Sequence, residues 1–147
     1  MFGTAHLLLG FFVDIYFLQY VKNKPVFFIV VIIASLIPDL DTIFYSRKVL
    51  KNDSKTPSYK NFLHSYTFCL LLSIVLVLSY PIVALPFFIG YSFHLFFDSL
   101  SVEGIIPFWP FKLRSKGFIK PGSLSEKSVI AILIILNTLL IFKYLFF

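Results

Sequence analysis

One cysteine, seven carboxylates and no charged side chain between Lys60 and Asp98 set the first limits on this 147-residue chain. A lone Cys69 inside an apolar run excludes an internal disulfide, and the lack of a Cys-x-x-Cys pair excludes a thiolate zinc site. Nothing therefore ties the chain to an oxidising compartment. The uncharged stretch is roughly twice what one helix needs to cross a hydrocarbon core of about 30 Å. It must fold back on itself, and Ser79-Tyr80-Pro81 is the expected turn. No internal repeat or low-complexity tract is evident. The N-terminus lacks the basic start and small-residue cleavage site of a secretory signal, so the first apolar segment is expected to stay attached.

What the chain does have is apolar surface in excess of what a soluble fold this small can hide. Hydrophobic residues make up 59%, with twenty Phe and eight Tyr among them. The fold class expected is an all-α integral membrane protein: one membrane-embedded helical domain over residues 1–147, a small bundle of about five hydrophobic helices, some short or interfacial. The net charge of +6 needs no nucleic acid, because the excess of positive residues in cytoplasmic loops of membrane proteins accounts for it.

The apolar segments run from about Thr4 to Tyr20, Pro25 to Ile37, Phe62 to Leu78, Pro81 to Leu100 and Ser128 to Phe147. Lys22-Asn23-Lys24-Pro25 is a turn signal, and Pro25 suits a first helical turn whereas Pro38 ends one. Polar connections cover about Thr42 to Asn61 and Ser101 to Glu126. Alternating the direction of the segments brings His6, Asp39, Asp41, His64, His94 and Asp98 to one membrane face. The same face collects Arg47, Lys48, Lys51, Lys55, Lys60, Lys112, Arg114, Lys116, Lys120 and Lys127, against Lys22, Lys24 and Lys143 opposite. By the positive-inside rule that face, and the N-terminus with it, is cytoplasmic.

Charged groups are expensive near lipid, so each of the six asks for a reason. Asp39-Leu40-Asp41 sets two carboxylates just past a helix end, where a turn can aim both at one centre; the plainer reading is a polar turn that meets water. His94 and Asp98 stand at i and i+4, one helical face, a spacing suited to two ligands or to a ligand and its orienting carboxylate. Their plainer reading is a His–Asp hydrogen bond sealing a helix end. His64 and Ser65 open the third segment, where free N–H groups gather. Imidazole with carboxylate favours zinc, manganese or iron, and six ligands leave room for two ions. Asp39, Asp98 and Ser65 are the candidate catalytic groups. Asp14, eight residues after His6 and so about 12 Å further along the helix, is a candidate supporting or proton-path acid. Glu103 is a further acid close to the cluster in sequence, and Phe108 and Trp109 suit an anchor at the membrane surface.

Ala5-His6-Leu7-Leu8, Ile37-Pro38-Asp39-Leu40-Asp41, Phe62-Leu63-His64-Ser65, Gly90 to Ser99, Gly104 to Pro110 and Gly122-Ser123-Leu124-Ser125-Glu126 occur in one order across nearly the whole chain. That ordered set resembles the LexA-regulated, inner-membrane-associated metal-dependent hydrolase family. The resemblance implies an all-helical membrane protein with metal-dependent hydrolase activity, and marks Glu126 as a further supporting position. The family pattern has a His where this chain has Thr42, and another where it has Tyr59.

The function expected is hydrolysis of a phosphoester or ester on a lipid or lipid-linked molecule such as a phospholipid. A site at the interface lets an acyl chain stay in the bilayer while its polar head meets the metal, and basic loops attract anionic headgroups. Two other readings stay open. One is a small ion or proton transporter using Asp14 with the buried His and Asp groups. The other is a non-catalytic anchor whose metal only stabilises the bundle, which Thr42 and Tyr59 keep open.

Overall fold

The computed structural model describes residues 3–40, 62–111 and 113–146, so Asp41, the whole first polar connection with Thr42 and Tyr59, and Lys112 lie outside the described residues. Those described form helices α1 (Gly3–Phe17), α2 (Lys24–Leu36), α3 (Tyr66–Ser79), α4 (Pro81–Ser99) and α5 (Leu124–Phe146). By length and composition α4 and α5 could cross a membrane, while α1, α2 and α3 are shorter apolar helices. Among the described residues there is no strand.

The helix ends follow local chemistry more closely than they follow hydrophobicity. Pro25 lies in the first turn of α2, where its missing N–H has no partner to lose. Tyr80 is the whole connection between α3 and α4, and Pro81 opens α4, as the turn at Ser79-Tyr80-Pro81 requires. Two starts differ from expectation. Helix α3 begins at Tyr66 rather than Phe62, because Ser65 caps it by accepting the Phe68 N–H at 3.2 Å. Helix α5 begins at Leu124 rather than Ser128. There Gly122 turns the chain at φ 78°, and Glu126 reaches back to accept the Gly122 N–H at 2.7 Å. This variant of a capping box makes polar residues 125–128 helical. Helix α1 stops at Phe17, and a tight turn with Tyr20 N–H donating to the Phe17 carbonyl at 2.9 Å follows.

In lipid, helices associate through close packing of small residues rather than through exclusion of water. Helix α2 is held in this way from two sides. A side chain at Gly90 of α4 would put its Cβ 2.5 Å from the Val31 carbonyl, and one at Gly10 of α1 would lie 2.9 Å from Ser35 Oγ. Around Gly90, Ala34, Cys69, Phe87, Tyr91 and Leu95 form one packed cluster. Around α1, Leu9, Val13, Phe27, Val31 and Leu133 form another. Helix α5 leans on α1, with Asn137 Nδ2 donating to the Leu8 carbonyl at 3.0 Å, and leaves most of its apolar surface facing outward.

Between α4 and α5 the chain makes an irregular excursion closed by two isolated bridges, Ser101 with Ile119 and Ile105 with Ser115. The Trp109–Pro110 peptide is cis. The excursion is tied to the start of α3: Tyr66 N–H donates to the Pro107 carbonyl at 2.8 Å, and Trp109 meets Phe62 edge-on at 5.0 Å between ring centres.

Candidate metal centre

Gly10 and Gly90 lie one helical turn from His6 and His94 respectively, on opposite sides in sequence. Because α1 and α4 both close on α2 at those glycines, the two imidazoles arrive at one end of the bundle. They stack there with ring centres 3.9 Å apart and planes inclined by 20°. Asp98 follows His94 by one turn on the same face of α4. His64 enters from the capped start of α3, whose preceding residue is fastened to α4 by Tyr91 Oη–H donating to the Leu63 carbonyl at 2.6 Å. Asp39 enters from the far end of α2, just past buried Pro38.

Three imidazoles surround the Asp98 carboxylate. Its Oδ1 is 3.3 Å from His6 Nε2, and its Oδ2 is 3.4 Å from His64 Nε2 and 3.8 Å from His94 Nε2. Asp39 Oδ1 is 3.8 Å from His94 Nε2. His6, His64, His94 and Asp98 are fully buried, whereas the Asp39 side chain is 24% exposed and is the one open edge among these five. Ligand atoms of two overlapping groups, His6/Asp39/His94 and His64/His94/Asp98, lie within 4.8 Å of one another.

The two shorter separations, 3.3 and 3.4 Å, suit shared coordination better than direct hydrogen bonding, and the two of 3.8 Å are longer than either arrangement requires. Ligands about 2.0–2.1 Å from a tetrahedral ion stand about 3.3–3.4 Å from each other. A charge-assisted N–H···O bond would draw the same atoms to about 2.7–2.9 Å. The donor chemistry agrees. His94 Nδ1 lies 2.6 Å from the Ser35 carbonyl, which can only accept, so Nδ1 carries the proton and Nε2 presents its lone pair to the cluster. Neither ring nitrogen of His6 has a hydrogen-bond partner among the described residues, although both are buried. The residues present fit a divalent ion. Since His94 Nε2 has one lone pair, the two groups cannot each hold an ion through it. Asp98, with its oxygens facing different imidazoles, is the group able to bridge a second.

The other candidates stand apart from this cluster. Ser65 donates to the Phe62 carbonyl at 2.6 Å while capping α3, so its hydroxyl serves the helix end. Glu103 is exposed, and Glu126 caps α5. Asp14 is fully buried further along α1, and neither of its oxygens has a hydrogen-bond partner among the described residues. Sequence reasoning missed the Ser35 carbonyl, which has no side-chain signature. It also missed Tyr91, whose signal was legible: a hydroxyl in an apolar helix, one turn ahead of His94.

The model of the YdjM inner membrane protein family matches residues 1–146, and the chain belongs to that family. Membrane localisation follows from the family and agrees with the apolar helices. No curated protein and no solved structure matches the chain.

Proposed function

We propose that this inner membrane family member is a metal-dependent hydrolase, with a His/Asp centre at the cytoplasmic end of its helices, acting on a phosphoester or ester of a lipid or lipid-linked molecule. The observation that carries the reading is the buried cage of His6, His64 and His94 around Asp98, with Asp39 at its open edge. The two shortest nitrogen-to-oxygen separations, from His6 Nε2 and His64 Nε2 to Asp98 at 3.3 and 3.4 Å, match the spacing of ligands around one ion.

His6, Asp39, His64, His94 and Asp98 would hold one or two ions, with zinc ahead of manganese or iron, and Asp41 is a sixth candidate ligand from the sequence. A divalent ion there supplies Lewis acidity and a nucleophilic water at neutral pH. The chain's own groups do the rest. Ser35 keeps His94 in one tautomer, and the packing of α1, α2 and α4 fixes the imidazoles before any substrate arrives. Asp39, partly exposed, is the carboxylate placed to take a proton at the mouth of the site. Cytoplasmic orientation rests on the sequence, in which ten basic residues fall in or beside the two long polar connections and three elsewhere.

The test is metal analysis of the purified protein followed by hydrolysis assays on phospholipids and polyprenyl phosphates. Near-stoichiometric metal with turnover that His94→Ala abolishes is the expected result. Metal without turnover on that panel would favour a structural ion, and protein free of metal would defeat the reading. A transporter is the second reading, and Asp14, a buried acid with no hydrogen-bond partner among the described residues, is the observation that favours it.

A further inference from the structure

The excursion between α4 and α5 turns a row of large apolar side chains outward. Phe108, Trp109, Phe111, Leu113 and Phe118 are all exposed, Phe111 by 69% and Phe118 by 78%. Arg114, Lys116 and Lys120 are exposed among them. The segment is not helical, so it cannot lie across the hydrocarbon core, where its unpaired backbone groups would find no partners. A water-facing loop, in turn, would not present five large apolar groups side by side. Rings and aliphatic side chains interleaved with cations match the boundary layer, where headgroup phosphates meet the first acyl carbons.

The excursion also has a fixed height relative to the His/Asp cage. Ser101 N–H donates to the Asp98 carbonyl at 3.1 Å, Tyr66 N–H reaches Pro107 at 2.8 Å, and Trp109 rests on Phe62, two residues before His64. Its two ends are clasped by the Ser101–Ile119 bridge. At Gly117 a Cβ would stand 2.0 Å from the Leu100 carbonyl, so the returning part of the excursion lies directly on the end of α4.

We propose that residues 101–111 and 113–120 form a rigid platform lying in the headgroup layer of the leaflet on the site's side, with anionic phospholipid as its partner. The apolar side chains enter the acyl boundary, and Arg114, Lys116 and Lys120 meet headgroup phosphates. The platform sets the depth of the His/Asp cage, so that molecules reach it from the leaflet. As a docking surface it stands whether or not the cage is catalytic; only the step from docked lipid to substrate rests on the hydrolase reading.

Trp109 is the single tryptophan in the chain, so its fluorescence reports on the platform alone. The full-length protein is placed in nanodiscs assembled with a tryptophan-free scaffold, of phosphatidylcholine containing equal mole fractions of brominated phosphatidylglycerol or brominated phosphatidylcholine. Bromines near the top of the acyl chain should quench Trp109 more than bromines near its end, and aqueous iodide should quench it little. Brominated phosphatidylglycerol should be the stronger quencher. The triple variant Arg114→Gln, Lys116→Gln, Lys120→Gln should lose that preference, by up to roughly fivefold in relative association constant per charge removed. Quenching by iodide with no response to bromine would overturn the platform. Equal quenching by the two lipids in the wild-type protein, which needs no variant to fold, would overturn the anionic partner. Because the readout is not activity, a negative result here is distinct from a failure of the hydrolase reading.

Discussion

His94 and Ser35 are joined across the α2–α4 interface, with the imidazole Nδ1 2.6 Å from the backbone carbonyl. The bond sets the ring's tautomer and aims Nε2 at the cluster, which places His94 in both candidate ligand groups. His94→Ala should therefore remove metal altogether, whereas His6→Ala and His64→Ala each leave the other group intact and should lower affinity without abolishing binding. Metal content measured after equal washing separates the three variants. Equal retention in all of them would show that His94 is not the shared ligand.

Asp98→Asn is nearly isosteric and keeps the packing of α4 while removing the charge that three imidazoles face. In the wild-type protein, metal should raise the unfolding temperature, since an ion at about 100 times its Kd contributes about 2.7 kcal/mol. The variant should show a smaller metal-dependent shift, because His6, Asp39 and His94 remain, with a metal-free stability close to that of the wild type. Thermal unfolding in detergent, with and without zinc after chelation, checks both halves.

The meeting of His6, Asp39, His64 and the His94/Asp98 pair was legible in the sequence because each stands at the end of an apolar segment. In a bundle whose segments alternate in direction, such ends collect at known faces. Boundaries were less legible where polarity and helicity part company. Phe62 and Leu63 are apolar yet precede the Ser65 cap, and Ser125, Glu126 and Lys127 are polar yet helical because Glu126 closes the turn at Gly122. The contacts that aim the ligands were not legible at all. The Ser35 carbonyl and the close approaches at Gly10 and Gly90 depend on distances between helices, which no local pattern encodes.

Those two glycines should differ in their tolerance of a methyl group. At Gly90 the added Cβ meets the Val31 carbonyl at 2.5 Å and Ala34 Cβ at 3.1 Å, so α2 and α4 must separate. Gly90→Ala should cost about 1–3 kcal/mol as an overpacked interface, and should weaken metal binding by moving His94. At Gly10 the nearest atom is Ser35 Oγ at 2.9 Å, the end of a side chain able to rotate away, so Gly10→Ala should be the milder change. Unfolding in detergent and metal retention, measured together, test this order. If Gly90→Ala equalled Gly10→Ala in both, the helix contact would not be what positions the site.

Asp14 separates a site built for hydrolysis from one built for transport. It is fully buried in α1, and neither carboxyl oxygen has a hydrogen-bond partner among the described residues. A buried polar group left unsatisfied costs about 1–3 kcal/mol, so an apolar side chain of similar length should recover part of that. Asp14→Leu is therefore expected to unfold at higher denaturant than the wild type while keeping its metal, because Asp14 belongs to neither ligand group. A protein that moves ions would instead lose flux in liposomes on Asp14→Asn. The stabilised variant with hydrolysis retained would make Asp14 a tolerated burial. Flux that vanishes with the carboxylate would assign this acid to a path through the bilayer and reverse the order of the two readings.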